Sequence, residues 1–130
     1  MLERRPRVLL VEDSATMRAF VVATLEADGL FEVTTASSGF EALKLLPRER
    51  FDLFITDINM PDINGLELIK FIRDSQAHAT TPLLIISTDA NERDRERGLK
   101  LGANAYLVKP FLPELLVETA LKAVRPACPA

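Results

Sequence analysis

Five side chains able to do chemistry stand at equivalent places in this chain, each at the end of a short apolar run. Val8-Leu9-Leu10-Val11 ends at Glu12-Asp13, and Leu53-Phe54-Ile55-Thr56 ends at Asp57. Leu83-Leu84-Ile85-Ile86 ends at Ser87, and Ala105-Tyr106-Leu107-Val108 ends at Lys109-Pro110. Taken singly, each has a plain reading. An acidic pair after a strand caps a helix, a serine there turns the chain, and a lysine before proline is solvated surface. Gathered in one place they become a site. Carboxylates a few ångströms apart repel, and a shifted pKa or a bound cation relieves the repulsion. A set of oxygen donors open to water, with no histidine or thiolate among them, favours Mg²⁺ over zinc.

Whether these groups meet depends on the elements that carry them. Continuous apolar runs of four or five residues are what strands covered on both faces look like. A fifth run, Phe31 to Ala36, is β-branched and more polar, as an edge strand would be. The stretches between the runs carry helical spacing. Ser14 to Asp28 places Met17, Val21 and Leu25 on one stripe and closes with Gly29. Ser38 and Glu41 form a capping-box pattern that opens a second helix. Gly65, Leu68, Ile69 and Ile72 share a face of a third. Asn91 to Leu101 is mostly charge and is interrupted by Gly98. Pro113 suits a first helical turn, followed by Leu116, Val117, Ala120, Leu121 and Val124 at helical spacing.

Strict alternation of strand and helix predicts an α/β fold: a flavodoxin-like, doubly wound (βα)5 domain with a five-stranded parallel sheet and helices on both faces. The expected strand order is 2-1-3-4-5, with function at the carboxyl ends of the strands near the switch point. That order sets strands 1 and 3 side by side, so Glu12, Asp13 and Asp57 converge on one crevice. Strands 4 and 5 bring Ser87 and Lys109 to the same edge.

The chain has 130 residues, 48% of them hydrophobic and 27% charged, and is expected to form a single domain over 1–130. Its core is expected at about 7–125, with 126–130 frayed. At this length roughly two-thirds of the unfolded surface can be buried. Sixteen basic against nineteen acidic residues, a net charge of −3, argue against direct nucleic-acid binding. The single Cys128 excludes an internal disulfide and suits a reducing compartment. No apolar run approaches the ~20 residues that span a bilayer. Two arginines near the start have no apolar region behind them, so no signal peptide is expected. These features predict a cytoplasmic protein without membrane insertion.

The motifs also resemble those of a family. Glu12-Asp13-Ser14-x-Thr16-Met17-Arg18, Asp57-x-Asn59-Met60-Pro61-x-x-Asn64-Gly65, Ser87-Thr88 and Lys109-Pro110-Phe111 closely resemble the receiver domain of bacterial two-component response regulators. The resemblance covers about residues 7 to 125. It is nearest the stand-alone chemotaxis type through Ser14-x-Thr16-Met17-Arg18, Asn59 and Tyr106.

What the resemblance implies is a phosphoacceptor at Asp57, with Mg²⁺ held by Glu12, Asp13, Asp57 and the backbone carbonyl of Asn59. It implies that Ser87 and Lys109 contact phosphoryl oxygens, that Ser87 and Tyr106 switch, and that the Lys109-Pro110 bond is cis. Asn59 and Asp89 would tune dephosphorylation. The implied donor is a histidine kinase or phosphotransfer protein. The implied output is a protein target at the surface of the fourth helix, fifth strand and fifth helix. Such a protein is not an enzyme beyond catalysing its own phosphorylation and dephosphorylation.

Rival aspartyl-phosphate chemistry of the haloacid-dehalogenase type wants Asp-x-Asp after the first strand; here Asp57-Ile58-Asn59 follows the third and lacks the second carboxylate. Glu12-Asp13 would repel a flavin phosphate, and there is no Walker A loop. His78 lies in a polar segment and is expected at the surface. The fourth helix, with only Leu99 and Leu101 as large apolar residues, is expected to be the softest element.

Overall fold

The computed structural model describes residues 5–88 and 92–124. Five strands run parallel: β1 (Arg7–Val11), β2 (Glu32–Ala36), β3 (Leu53–Asp57), β4 (Leu83–Ser87) and β5 (Ala105–Val108). Between and after them lie α1 (Ala15–Glu26), α2 (Gly39–Leu45), α3 (Gly65–Asp74), α4 (Glu92–Leu101) and α5 (Pro113–Val124). The sheet order is β2-β1-β3-β4-β5, so the flavodoxin-like topology expected from the alternation is the one observed. Among the described residues no helix is long and apolar enough to cross a membrane. The segment 126–130 lies outside the described residues.

Strand periodicity sorts the core into two layers. Val8, Leu10, Leu53, Ile55, Leu84, Ile86 and Leu107 face one side, where Val21 and Leu25 of α1 and Leu116 and Ala120 of α5 cover them. Leu9, Val11, Phe54, Leu83 and Ile85 face the other, against Ala42 of α2 and Leu66, Leu68, Ile69 and Ile72 of α3. Every residue of β3 and β4 is buried, which explains the apolar runs Leu53–Ile55 and Leu83–Ile86 that precede their polar ends.

Helix starts follow local chemistry. The Ser14 side chain accepts from Met17 N–H, Ser38 from Glu41 N–H and Asn64 from Leu66 N–H, each satisfying an orphan donor of the first turn. The capping box at α2 closes one residue early: the Glu41 carboxylate returns to Ser37 N–H at 2.6 Å. α1 stops at Glu26, and Ala27–Gly29 form a 3-10 turn with Asp28 and Gly29 both at positive φ.

Two expectations need correction. His78 is not at the surface; it is 1% exposed, in a 3-10 turn (Gln76–His78) folded back on the sheet. Its Nε2–H donates to the Leu46 carbonyl at 3.2 Å, and its ring meets Phe54 edge-on at 5.1 Å. The polar neighbours that suggested exposure are the turn's outer side. Gly98 does not interrupt α4, which runs through it. A Cβ there would lie 2.3 Å from Ile85 Cδ1, so the glycine is what lets α4 approach β4.

Candidate functional site

Glu12 follows β1 directly and is completely buried. Its main chain is fixed on two sides: its N–H donates to the Ala36 carbonyl at 3.0 Å, and its carbonyl accepts from Arg18 Nη1 at 2.8 Å. Its carboxylate accepts from Ser14 N–H at 3.0 Å and from Lys109 Nζ at 2.8 Å. Burial pushes the Glu12 pKa up, against the pull of the Lys109 and Ser14 hydrogen bonds, and the charge on Asp57 pushes the same way as burial.

Asp57 ends β3 and is 7% exposed. Its Oδ1 accepts from Ile58 N–H at 2.6 Å and from Asn59 N–H at 3.3 Å. Its Oδ2 accepts from Lys109 Nζ at 2.9 Å. The carboxylate is therefore held at both oxygens. Gly65 holds the loop beneath it. A Cβ at Gly65 would fall 2.1 Å from the Asp57 carbonyl oxygen, and Gly65 N–H donates to the Ile58 carbonyl at 2.8 Å. Only glycine lets the first turn of α3 press so closely on the end of β3.

Lys109 reaches the cluster from the end of β5, and its bond to the following Pro110 is cis. Burial alone would lower its pKa, but the hydrogen bonds and charges of Glu12 and Asp57 outweigh that and raise it. One ammonium thus bridges two carboxylates from β1 and β3. Its backbone N–H donates to the Ser87 carbonyl at 2.7 Å, tying the ends of β4 and β5. Ser87 is fully buried at the end of β4. Tyr106 is half-buried on the α2–α4 side and pairs in register with Ile85, two residues before Ser87. Asn59 is exposed beside the acceptor loop, while Asp89 lies outside the described residues.

Glu12, Asp13 and Asp57 each offer a carboxylate oxygen within 4.8 Å of the others, with Asp13 exposed to solvent. An all-oxygen set with one open side is what a hard divalent cation takes. The residues fit Mg²⁺.

Asp62 escaped the sequence reading. Its carboxylate accepts from Phe40 N–H at 2.8 Å, Gly39 N–H at 3.2 Å and Ile63 N–H at 2.7 Å. The Phe40 hydrogen bond leads in holding its pKa down to about 2. It joins the loop after Asp57 to the start of α2. Nothing local in Pro61-Asp62-Ile63 signals a partner more than twenty residues earlier.

Residues 8–121 match the response regulator receiver domain family. The chain is 40% identical over 113 residues to a chemotaxis protein CheY homolog of Campylobacter jejuni, spanning 86% of this chain and 87% of that one. It is 39% identical to chemotaxis protein CheY1 of Helicobacter pylori, spanning 86% of this chain and 91% of that protein. Among solved structures, the chemotaxis response regulator CheY4 of Vibrio cholerae is similar at a TM-score of 0.86 and 39% identity, covering 92% of this chain and 98% of that one. A sheet of this order with an acidic cluster at its carboxyl edge, and a match over nearly the whole length, place the chain in the response regulator receiver domain family.

Proposed function

We propose that Asp57 accepts a phosphoryl group from the phosphohistidine of a histidine kinase or phosphotransfer protein, and that this switches the α4–β5–α5 surface toward a protein target. The observation that carries the reading is the Lys109 ammonium shared between Glu12 and Asp57 at 2.8 and 2.9 Å. A phosphoryl group arriving at Asp57 would find this ammonium within hydrogen-bond reach of its oxygens.

In the proposed reaction an Asp57 carboxylate oxygen attacks phosphorus in line. A new O–P bond forms as the N–P bond to the donor histidine breaks, leaving an acyl phosphate and a neutral imidazole. The two backbone N–H groups on Oδ1 stop the carboxylate from turning away. Lys109 and the Ser87 hydroxyl supply fixed donors to the phosphoryl oxygens, where charge grows in a loose transition state. Glu12, Asp13, Asp57 and the Asn59 carbonyl would hold Mg²⁺, which when bound neutralises charge between the acidic cluster and the incoming group.

Ser87 and Tyr106 lie on the same side of the sheet. Movement of Ser87 toward the phosphoryl group would open space for the Tyr106 ring, biasing an existing two-state equilibrium. Asn59 and Asp89 are the proposed controls on water reaching the acyl phosphate. The chain then acts as a signalling protein of the two-component or chemotaxis-like kind, working in the cytoplasm and catalysing only its own phosphorylation and dephosphorylation.

The test uses acetyl phosphate with the whole chain. Intact-mass measurement should show one added phosphoryl group with Mg²⁺, and none in Asp57→Asn or after chelation. Equal labelling of Asp57→Asn would overturn the assignment.

A further inference from the structure

The side of α5 turned toward α1 carries more apolar surface than the fold covers. Leu116 and Ala120 are fully buried under the helix. Beside them Pro113, Val117 and Leu121, spaced i, i+4, i+8, make a second row that stays exposed or half-buried. Ala27 and Leu30, beyond the end of α1, face this row across a groove of about 570 Å³. Its rim is charged unevenly: Asp28, Glu114 and Glu118 against Lys122. Lys122 is already tied to Glu118 at 3.3 Å. An apolar floor with an acidic edge is a surface with a definite complement.

We propose that this groove is a docking site for a basic amphipathic helix of a partner protein. From Pro113 to Lys122 the groove wall extends roughly 14 Å at the rise of an α-helix, which about three turns of an incoming helix would match. Its apolar side chains would lie on Val117, Leu121 and Leu30, and its lysines or arginines would face Asp28, Glu114 and Glu118. A second copy of this chain is a poor occupant, because a two-fold axis along the groove sets one acidic rim against the other. The floor of the groove lies on the side of α5 away from β5, while Glu118 and Lys122 border both sides of the helix. Leu115 borders Leu84 and Ala105 on the β5 side of α5, and a helix places positions 115 and 117 on opposite faces. A partner in the groove would hold the protein in place while Leu115 on the β5 side remains free for its target. Docking is accordingly independent of the state of Asp57, and stands or falls apart from the phosphoacceptor reading.

The experiment places a photo-crosslinking amino acid at Thr24, which lines the groove, and for comparison at Phe40 on α2, in the full chain expressed in its host. The crosslinked partner segment is mapped by mass spectrometry and made as a peptide, and its affinity is measured by fluorescence anisotropy. The expected segment is helix-forming, with basic residues flanking an apolar stripe. Its affinity should fall at least tenfold in Glu114→Lys/Glu118→Lys and in Val117→Ser, weaken with added salt, and stay unchanged in Asp57→Asn. Thermal unfolding of each variant, with a midpoint like that of wild type, shows that the fold is kept. If Val117→Ser unfolds, Val117→Thr takes its place, and full affinity in that variant counts against the proposal. Crosslinks no stronger than at Phe40, an acidic or extended segment, a second copy of this chain, or affinity indifferent to the charge reversal would overturn it.

Discussion

Lys109 does two things that a different cation would separate: it neutralises buried carboxylates and it presents a compact donor. Lys109→Arg keeps the charge but brings a planar fork that does not fit where one nitrogen now reaches both Glu12 and Asp57. We expect this variant to fold and take up some phosphoryl group, with a poor conformational response. Amide exchange around Tyr106 with saturating beryllofluoride, a phosphoryl analogue, would check it; protection equal to wild type would remove Lys109 from the switch. Asp62 yields a second prediction at this scale. Its pKa is about 2 in the folded chain against an ordinary 3.8, so the folded state favours its ionised form. The stability this gives is fully present above about pH 4 and is lost as pH falls toward about 2. Asp62→Asn should therefore lower the urea midpoint at pH 7 and flatten the loss of stability between pH 4 and pH 2. A pH profile parallel to wild type would show that the three N–H groups do not depend on the charge. The five strand-end residues were legible because each ends an apolar run. Asp62 was not, because two of its three donors, Gly39 and Phe40, come from a helix that sequence spacing does not bring near it.

Among the described residues, the side chains of α4 are unevenly buried along the helix. From Glu92 to Arg97 no side chain is buried, whereas Gly98 lies against Ile85. Beyond the helix, Arg73 of α3 donates to the Gly102 carbonyl at 2.7 Å and to the His78 carbonyl at 3.0 Å, clamping two loops together. Gly102 has φ +117, and a Cβ there would meet Arg73 Nε at 2.7 Å, so the clamp requires glycine on both counts. Softness in α4 should accordingly be graded. Amides of residues 92–97 should exchange faster than those of α1, α3 and α5, amides near 99–102 should exchange more slowly, and beryllofluoride should slow the fast set. Protection equal to α5 along the whole helix would refute this. The charge run made the exposed half legible in the sequence; the clamp was hidden because Arg73 and Gly102 look like an ordinary surface pair. Gly98→Ala sharpens the point. Helix propensity favours alanine by about 1 kcal/mol, but overpacking a buried contact costs about 1–3 kcal/mol. We expect a net loss of stability on urea unfolding, and a gain would mean that Ile85 yields freely.

At the scale of the whole molecule, the strand order was legible because alternation of strand and helix, right-handed crossovers and the polar edge strand Glu32–Ala36 leave few arrangements of five strands. The same reasoning missed His78, since a residue in a polar turn gives no periodic sign that Phe51 and Phe54 form a place for its ring. The order has a thermodynamic consequence. Glu12, Asp57, Ser87 and Lys109 come from the ends of four adjacent strands, so the site exists only when the sheet is assembled. A ligand that needs all four binds the folded chain and not the unfolded one, and its binding free energy adds to global stability. Mg²⁺ with beryllofluoride at a hundred times its dissociation constant should stabilise the chain by about 2.7 kcal/mol, a rise of roughly 10 °C in unfolding midpoint for a domain of this size. Mg²⁺ alone should give a smaller rise, and chelation should abolish both. If Asp57 is the acceptor, the beryllofluoride increment should vanish in Asp57→Asn, because a neutral amide replaces the carboxylate that would hold the analogue. An equal increment in that variant would mean that the analogue binds elsewhere, and that the convergence of the four strand ends does not form the site.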